Sequence, residues 1–259
     1  MLLALIRGVH AVPDLETLAL TTNGSHLAES AQRLRESGVN SINISLDSLE
    51  PARFKAITRI GELATVLRGI DQAIDCGFER IRLNAVVLDG LNRDEVIPLT
   101  QYALDKNIHI AFIEEMPLGQ VNIGGKALAY VSSDTLQDEL AEHFSLIPMT
   151  ASDTAGPSRD YLIAGSQTQV GFISPHSQNF CAQCNRLRIS AEGRLLMCLG
   201  NEESIDLRAV RGKSRKFPST AAEDLQNTLL VKIDLDKGVD ASPLVRPDEI
   251  ETFRFFVRL

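Results

Sequence analysis

The chain has 259 residues, 44% of them hydrophobic and 23% charged, which is typical of a globular protein with one large or two small domains. Its formal net charge of −8 argues against nucleic-acid binding, and no apolar run is long enough to cross a membrane. The short apolar stretch from Leu2 to Ile6 has no basic residue before it, so no secretory leader is expected. These features predict a cytoplasmic protein.

The first half of the chain alternates apolar runs with amphipathic segments. Strands are predicted at 15–20, 39–46, 81–88 and 108–116. Helices are predicted from a Ser25 cap to a stop at Gly38, over 61–76 and from about 94 to 106. This rhythm indicates parallel strands joined by crossover helices. Since a closed eight-unit barrel takes about 250 residues by itself, an incomplete barrel or an open sheet is expected.

The pattern changes near Pro117, so the chain is divided into residues 1–117 and 118–259. A helix is predicted at 134–143, followed by short strands at 146–149, 161–164 and 170–174. A hairpin is predicted from strands at 186–191 and 194–199, with the turn at Ala191-Glu192-Gly193. In the first of these strands Arg186 and Arg188 alternate with apolar residues and share one face.

Three cysteines form the most informative motif of the sequence: Cys181, Cys184 and Cys198. The predicted hairpin would return Cys198 to the vicinity of Cys184. One interpretation is a structural zinc site completed by His176, because such sites have four ligands. The other is a metal centre or iron–sulfur cluster with one open position. Arg186 and Arg188 favour the open centre, because guanidinium groups match anionic ligands such as phosphate.

Polar residues recur where the predicted strands of the first half end. They are Thr21, Thr22, Asn23, Ser45, Asp47, Asn84, Glu114 and Glu115. The carboxyl ends of parallel strands are where this architecture binds ligands. Arg82 lies two residues before Asn84, so both side chains should point to one side of the strand. Cys76, at the end of a predicted helix, is interpreted as an inert core residue.

Several motifs together resemble the molybdenum-cofactor GTP 3′,8-cyclase family, a branch of the radical S-adenosylmethionine enzymes. They are Leu18-Ala19-Leu20-Thr21-Thr22-Asn23-Gly24, Ile42-Asn43-Ile44-Ser45-Leu46-Asp47-Ser48-Leu49, Arg82-Leu83-Asn84-Ala85-Val86-Val87, Phe112-Ile113-Glu114-Glu115-Met116-Pro117, Val170-Gly171-Phe172-Ile173-Ser174 and the cysteine motif with its two arginines. The resemblance implies an incomplete (β/α) TIM-like barrel lacking its first units, followed by a C-terminal iron–sulfur cluster domain.

The resemblance also implies a chemistry and a set of site residues. In such enzymes an N-terminal 4Fe–4S cluster cleaves S-adenosylmethionine, and the radical formed abstracts a hydrogen from the ribose of GTP before a carbon–carbon bond closes. A second 4Fe–4S cluster would be held by Cys181, Cys184 and Cys198. GTP would be contacted by Thr21, Arg82, Arg186, Leu187 and Arg188, and S-adenosylmethionine by Ser45 and Met116. A second copy of the chain and the cyclic pyranopterin monophosphate synthase, which receives the product, are the implied protein partners.

The sequence departs from the family pattern in four respects. It has no Cys-x-x-x-Cys-x-x-Cys, Arg82 takes the place of a lysine, Ala111 stands where relatives often carry an arginine, and the final residues are not Gly-Gly. A chain truncated at both ends is therefore expected, and one that does not cleave S-adenosylmethionine. Two further hypotheses remain open: a GTP-binding protein with a single cluster and no radical chemistry, and a zinc-stabilised interaction domain.

Overall fold

The computed structural model describes residues 2–115, 122–123, 126–127, 129–150, 157–178, 186–190, 193–196, 204–207, 230–234 and 254–258. Helices are α1 (Leu2–His10), α2 (Leu27–Glu36), α3 (Pro51–Thr58), α4 (Leu63–Asp75), α5 (Val96–Asp105) and α6 (Ser133–Ala141). A 3-10 turn at Arg93–Glu95 leads into α5.

Strands of the first half are β1 (Thr17–Thr22), β2 (Ser41–Ser45), β3 (Arg80–Asp89) and β4 (His109–Glu114). Short strands follow at β5 (Asn122–Ile123), β6 (Lys126–Ala127), β7 (Ala129–Tyr130) and β8 (Leu146–Pro148). The remaining strands are β9 (Ser158–Ile163), β10 (Gln169–Ile173), β11 (Arg186–Ser190), β12 (Arg194–Leu196), β13 (Ser204–Asp206), β14 (Leu230–Asp234) and β15 (Arg254–Arg258).

A parallel core made of β1, β2, β3, β4 and β10 dominates the sheet, in that spatial order. The parallel pairing of the first four strands confirms the prediction made from the alternation of apolar runs and helices. The fold is thus mixed α/β with a parallel-rich sheet, consistent with the incomplete (β/α) barrel that the family resemblance implies. β9 and β8 extend the sheet antiparallel beyond β10.

The two faces of this sheet have opposite chemical characters. One face presents apolar side chains such as Leu20, Ile44, Leu83 and Phe112, which are fully buried in one core with the apolar faces of the helices. The stripe of α4 that begins at Leu63 belongs to this core, as its 3.6-residue spacing predicts. The other face carries polar and charged residues at the alternate strand positions, because successive side chains of a strand point to opposite sides.

Local signals explain most of the element boundaries, with two differences. α2 ends before Gly38, whose φ of 108° suits glycine and whose missing side chain leaves room for His10 of α1. Ser25 does not cap α2: its hydroxyl donates to Asn23 Oδ1 at 2.8 Å, and the N-cap is His26, without a side-chain bond. α3 was not predicted, although Glu50 caps it by accepting from the amides of Ala52 and Arg53.

At the other edge of the parallel core, β1 pairs antiparallel with β15, which pairs with β14. β14 lies parallel to β11, and the hairpin of β11 and β12 follows, in agreement with the predicted hairpin. Across the described residues, no helix combines the length and the apolar character needed to cross a bilayer.

Candidate functional site

A row of polar residues crosses the polar face of the parallel core. Thr21 of β1 is in register with Asn43 of β2, Asn43 with Arg82 of β3, and Arg82 with His109 of β4. In-register neighbours point to the same side of a sheet, so the four side chains share one face. Asn43 Nδ2 donates to Thr21 Oγ1 at 3.4 Å, which links the first two strands through side chains.

Arg82 is the cation of this row and is largely buried, with 11% of its side chain exposed. Its Nη2 donates to Asp160 Oδ1 at 2.6 Å and to Ser158 Oγ at 2.6 Å, and Ser158 also donates to Asp160. Burial lowers the pKa of Arg82, while the nearby Asp160 carboxylate opposes that change. Arg82 stays charged, since guanidinium groups in proteins keep their proton, and Asp160 compensates that charge.

Gly171 provides the space that this interaction needs. It lies on β10 between Ala111 of β4 and Asp160 of β9, so Arg82 must reach across two strands to meet the carboxylate. A β-carbon at Gly171 would overlap Arg82 Nη2, Ser158 Oγ and Asp160 Oδ1. Ala111, fully buried, adds little volume beside it. The lack of a side chain at Gly171 is therefore a structural requirement of the Arg82–Asp160 pair.

Arg80 and His109 enlarge the polar cluster around Arg82. Arg80 Nη2 donates to Gln169 Oε1 at 3.1 Å and lies 3.9 Å from Asp160 Oδ2. His109 Nδ1 accepts from the backbone amide of Gln169 at 3.1 Å. Burial, together with the charges of Arg80 and Arg82, lowers the pKa of His109 to about 4. His109 is thus neutral at pH 7 and adds no positive charge to the cluster.

The end of β2 places a second group of polar residues on this face. Ser45 is in register with Asn84 of β3, one step closer to the carboxyl ends of the strands than Arg82. Two residues beyond Ser45, Asp47 Oδ1 accepts from the amide of Val86 at 2.8 Å. Burial raises the pKa of Asp47 to about 6, against the opposing effect of that hydrogen bond. Asp47 is therefore a carboxyl group that titrates close to neutral pH.

Glu114, at the end of β4, belongs to the opposite face and joins separate segments. With 1% of its surface exposed, its carboxylate accepts from the amides of Ser133, His176 and Ser177 and from the Ser177 hydroxyl, at 2.6–3.1 Å. Burial opposes ionisation, but the hydrogen bonds from Ser177 and Ser133 outweigh it and lower the pKa of Glu114 to about 2. Glu114 thereby fixes the start of α6 and the segment after β10.

The chain was compared with family models and with known proteins. The family model Molybdenum Cofactor Synthesis C matches residues 108–230, and the Radical SAM superfamily model matches residues 2–103. A GTP 3′,8-cyclase of Pseudomonas entomophila is 50% identical over 83% of this chain and 63% of the relative. The relatives from Pseudomonas putida strain W619 and Marinobacter nauticus are 52% and 47% identical, over 78% and 90% of this chain and 60% and 69% of their own lengths.

The chain belongs to the GTP 3′,8-cyclase family. Its 259 residues span 60–69% of the length of these three relatives. The sequence identity of 47–52% extends over 78–90% of this chain. The strand pairings described above are therefore those of a member of this family.

Of the residues that the family resemblance assigned to ligands, the structure describes five side chains. Thr21 and Arg82 lie in the polar row and Ser45 lies one step beyond it. Arg188 of β11 shares their face, because its register runs through Lys232 of β14 and Phe256 of β15 to Ala19 of β1. Leu187 alternates to the other face of β11.

The other predicted site residues lie partly or wholly outside the described residues. Arg186 is in register with Leu230 as part of the β11 backbone, and its side chain is not among those described. Met116, Cys181, Cys184 and Cys198 lie outside the described residues altogether. His176, the proposed fourth zinc ligand, packs its ring against Tyr130 with centroids 4.4 Å apart. Among the described residues no group of His, Cys, Asp or Glu is placed to hold a metal ion.

Sequence reasoning missed Asn43, Ser158, Asp160 and the role of Gly171. A signal existed for two of them, since Ser158 and Asp160 are two residues apart and share a face of β9. The strand was predicted to begin at Tyr161, three residues after its observed start at Ser158. A one-sided pair of polar residues was thus assigned to a turn.

A groove between α3, α5 and α6 also carries charged residues, but it offers few free charges. Arg53 pairs with Asp94 at 2.7 Å and with Glu95 at 3.0 Å. Arg93 donates to Glu139 on the opposite wall of the groove. These pairs explain the charges as contacts between helices.

Proposed function

We propose that this chain is a GTP 3′,8-cyclase of molybdenum cofactor biosynthesis and that its 259 residues supply the GTP-binding part of that activity. The observation that carries the proposal is the polar row on the face of the parallel core opposite the apolar core, in a chain half identical to named GTP 3′,8-cyclases. The row offers hydroxyl, amide and guanidinium groups. Thr21 of the row and Ser45 beside it lie near the carboxyl ends of β1 and β2, where parallel α/β sheets bind ligands.

Within this proposal the sugar and phosphates of GTP contact the polar face. Thr21 and Asn43 can form hydrogen bonds with ribose hydroxyls, because the threonine hydroxyl and the asparagine amide can each donate and accept. Arg82 and Arg188 supply cationic donors, and Arg186 and Leu187 complete the GTP contacts proposed from β11. Ser45 and Met116 are proposed to contact S-adenosylmethionine.

Cys181, Cys184 and Cys198 would hold an iron–sulfur cluster. The donor set fits, because three thiolates bind such a cluster and leave one iron open. Arg186 and Leu196 lie at the same end of the described hairpin. In the sequence, Cys184 lies two residues before Arg186 and Cys198 lies two residues after Leu196. When bound, the cluster supplies an open iron that can coordinate the guanine base.

The residues present do not fit a second cluster. Apart from the three clustered cysteines the sequence contains Cys76, which ends α4 and accepts from Gln72 Nε2 at 3.5 Å. One thiol cannot hold a cubane, so the residues of this chain do not account for cleavage of S-adenosylmethionine. A second copy of the chain and a cyclic pyranopterin monophosphate synthase, as acceptor of the product, are the proposed partners.

The test is nucleotide binding by the purified chain after anaerobic reconstitution with iron and sulfide. Equilibrium dialysis should show GTP binding and weaker ATP binding. Arg188→Ala should weaken GTP binding roughly tenfold, the loss expected for one charge-assisted contact. Arg33→Ala, at an exposed position of α2, is the matched control and should change nothing.

Two results would count against the proposal. One is the absence of saturable GTP binding in protein that contains iron and sulfide. The other is a chain that takes up one zinc ion, tightly and in preference to iron, which would favour the zinc-stabilised interaction domain.

A further inference from the structure

The cation at the centre of the candidate site already has a partner within the protein. Asp160 Oδ1 accepts from Arg82 Nη2 at 2.6 Å, and Ser158 fixes the same carboxylate from its own strand. Arg82 is 11% exposed and Asp160 25% exposed, so solvent screens this pair only in part. A phosphate group that approaches Arg82 therefore meets a negative charge next to the positive one.

The second guanidinium group of the cluster also faces Asp160. Arg80 lies 3.9 Å from Asp160 Oδ2 and is shared between that carboxylate and Gln169. His109 is neutral at pH 7, and Ala111, on the same face, carries no charge. The cluster thus contains two guanidinium groups and one carboxylate, where a site built for maximal attraction of a triphosphate would lack the carboxylate.

We propose that Asp160 is a specificity-determining residue that weakens the attraction of the polar face for the phosphate groups of a nucleotide. The inference rests on the proposed GTP site. Asp160 orients Arg82 by accepting its hydrogen bond and at the same time cancels much of its charge. Recognition of the nucleotide then depends less on its phosphates, and more on its ribose and base, than it would without Asp160.

The substitution Asp160→Asn separates the two effects of this carboxylate. An asparagine oxygen can still accept from Arg82, and the side chain has nearly the same volume, so the cluster keeps its shape while losing one negative charge. We expect GTP to bind about tenfold tighter in this variant and guanosine to bind within about twofold of the native value, because only the phosphates respond to the charge. The gain for GTP should shrink as ionic strength rises.

Asp134→Asn is the matched control. It removes a carboxylate that lies 2.8 Å from Arg159, the neighbour of Asp160 on β9. The side chain of Arg159 points to the face of the sheet opposite that of Asp160. This variant should bind GTP and guanosine as the native chain does.

A double-mutant cycle with Arg82→Gln provides the second measurement, with the folding of all four chains checked by circular dichroism. The doubly substituted chain replaces the ion pair with a neutral pair. Loss of Arg82 should weaken GTP binding more in the Asp160→Asn background than in the native background, since only there is the guanidinium uncompensated.

The outcomes distinguish this inference from the proposed function. Tighter GTP binding by Asp160→Asn with unchanged guanosine binding supports the inference. Equal or weaker GTP binding by Asp160→Asn overturns it, with the proposed GTP site intact. A native chain that binds neither GTP nor guanosine overturns the proposed function and this inference with it.

Discussion

A residue without a side chain decides where the central cation of the site can lie. Arg82 begins on β3 and meets Asp160 on β9, and its guanidinium group lies over Gly171 of β10. A side chain at position 171 would overlap that group. Glycine at 171 is thus required by the close approach of a guanidinium group to the backbone, a use of glycine that is independent of turns.

Gly171→Ala should destabilise the fold and displace Arg82. The added methyl overlaps the Arg82 guanidinium and the Asp160 carboxylate, so the pair must separate or the strands must move. The cost should be about 1–3 kcal/mol, the range for overpacked interiors, measured as the free energy of unfolding in urea. Gly8→Ala is the matched control, because nothing lies within 4 Å of the new methyl, and it should be neutral or stabilising. Equal stability of Gly171→Ala and the native chain would contradict the prediction.

Asp47→Asn should make the protein more stable at neutral pH. The pKa of Asp47 is raised from 3.8 to about 6 by burial, so ionisation costs the folded state more than the unfolded state. Native stability should therefore fall as pH rises from about 4 to 6 and then level off. The asparagine does not titrate, so its advantage should be absent near pH 4 and reach on the order of 2 kcal/mol above pH 6.

Urea denaturation at several pH values between 4 and 8 measures this difference. Asp138→Asn, on the exposed side of α6, is the control variant and should show no pH-dependent gain in the free energy of unfolding. A constant difference between Asp47→Asn and the native chain across the range would show that Asp47 does not titrate near pH 6.

At the scale of elements, the end of β4 works as a junction. A single carboxylate, that of Glu114, accepts hydrogen bonds from the first amide of α6 and from two amides of the turn that follows β10. The negative charge also lies at the N-terminus of a helix, where the helix dipole favours it. The start of α6 and the turn after β10 are thereby held against one strand of the first half.

Glu114→Gln should loosen this junction. The amide retains one acceptor oxygen and turns a donor toward backbone N–H groups, so buried donors lose their partners at a cost of about 2–4 kcal/mol. Because the folded pKa of Glu114, about 2, lies below its ordinary value of 4.5, the stabilisation is complete above that value and disappears as pH falls toward 2. The difference in the free energy of unfolding between Glu114→Gln and the native chain should therefore become smaller in acid.

Hydrogen exchange followed by mass spectrometry locates the effect of Glu114→Gln. Faster exchange is expected at Ser133, His176 and Ser177, with the amides of β1 and β2 unchanged. Glu115→Gln, one residue further along, is the control. Uniform acceleration over the whole chain would show that Glu114 has no local role.

Sequence patterns predicted the elements better than their ends. The apolar periodicity of α4 and the runs of β1 to β4 are strong because each element buries a face in the shared core. α3 was missed because its eight residues bury a single residue, Phe54, and show little periodicity. The Ser25 cap was wrong because Asn23, two residues earlier, competes for its hydroxyl in a local turn.

At the scale of the whole molecule, the pairings between strands far apart in the chain could not be predicted from the sequence. The parallel order of β1 to β4 follows from strand–helix alternation, whereas the pairing of β1 with β15 joins residues more than 200 positions apart, Thr17 with Arg258 among them. Local periodicity carries no information about such partners. For the same reason Thr21 and Ser45 were predicted as site residues from strand ends, and Arg82 from its place beside Asn84 and from the family resemblance. Asp160, which reaches Arg82 from β9, was not predicted.

The number and placement of thiols lead to the last prediction: the 259-residue polypeptide does not cleave S-adenosylmethionine. Reductive cleavage needs a low-potential cluster in contact with the sulfonium, and such a cluster needs three thiolates at one point. Cys181, Cys184 and Cys198 are proposed to hold the cluster that faces guanine, which leaves Cys76. Cys76 lies at the end of α4, whose buried stripe packs on the opposite face of the sheet from Thr21 and Arg82.

Anaerobic incubation of the reconstituted chain with dithionite and S-adenosylmethionine, followed by chromatography for 5′-deoxyadenosine, measures this cleavage. We expect no 5′-deoxyadenosine above the level without protein, whereas the Marinobacter nauticus relative, treated in parallel, is the positive control. GTP binding in the same preparation shows that the chain is folded, so a negative result cannot be assigned to unfolded protein. Formation of 5′-deoxyadenosine that depends on this chain and persists in Cys76→Ser would mean that the three clustered cysteines support the reduction themselves, and the assignment of their cluster to guanine would be wrong.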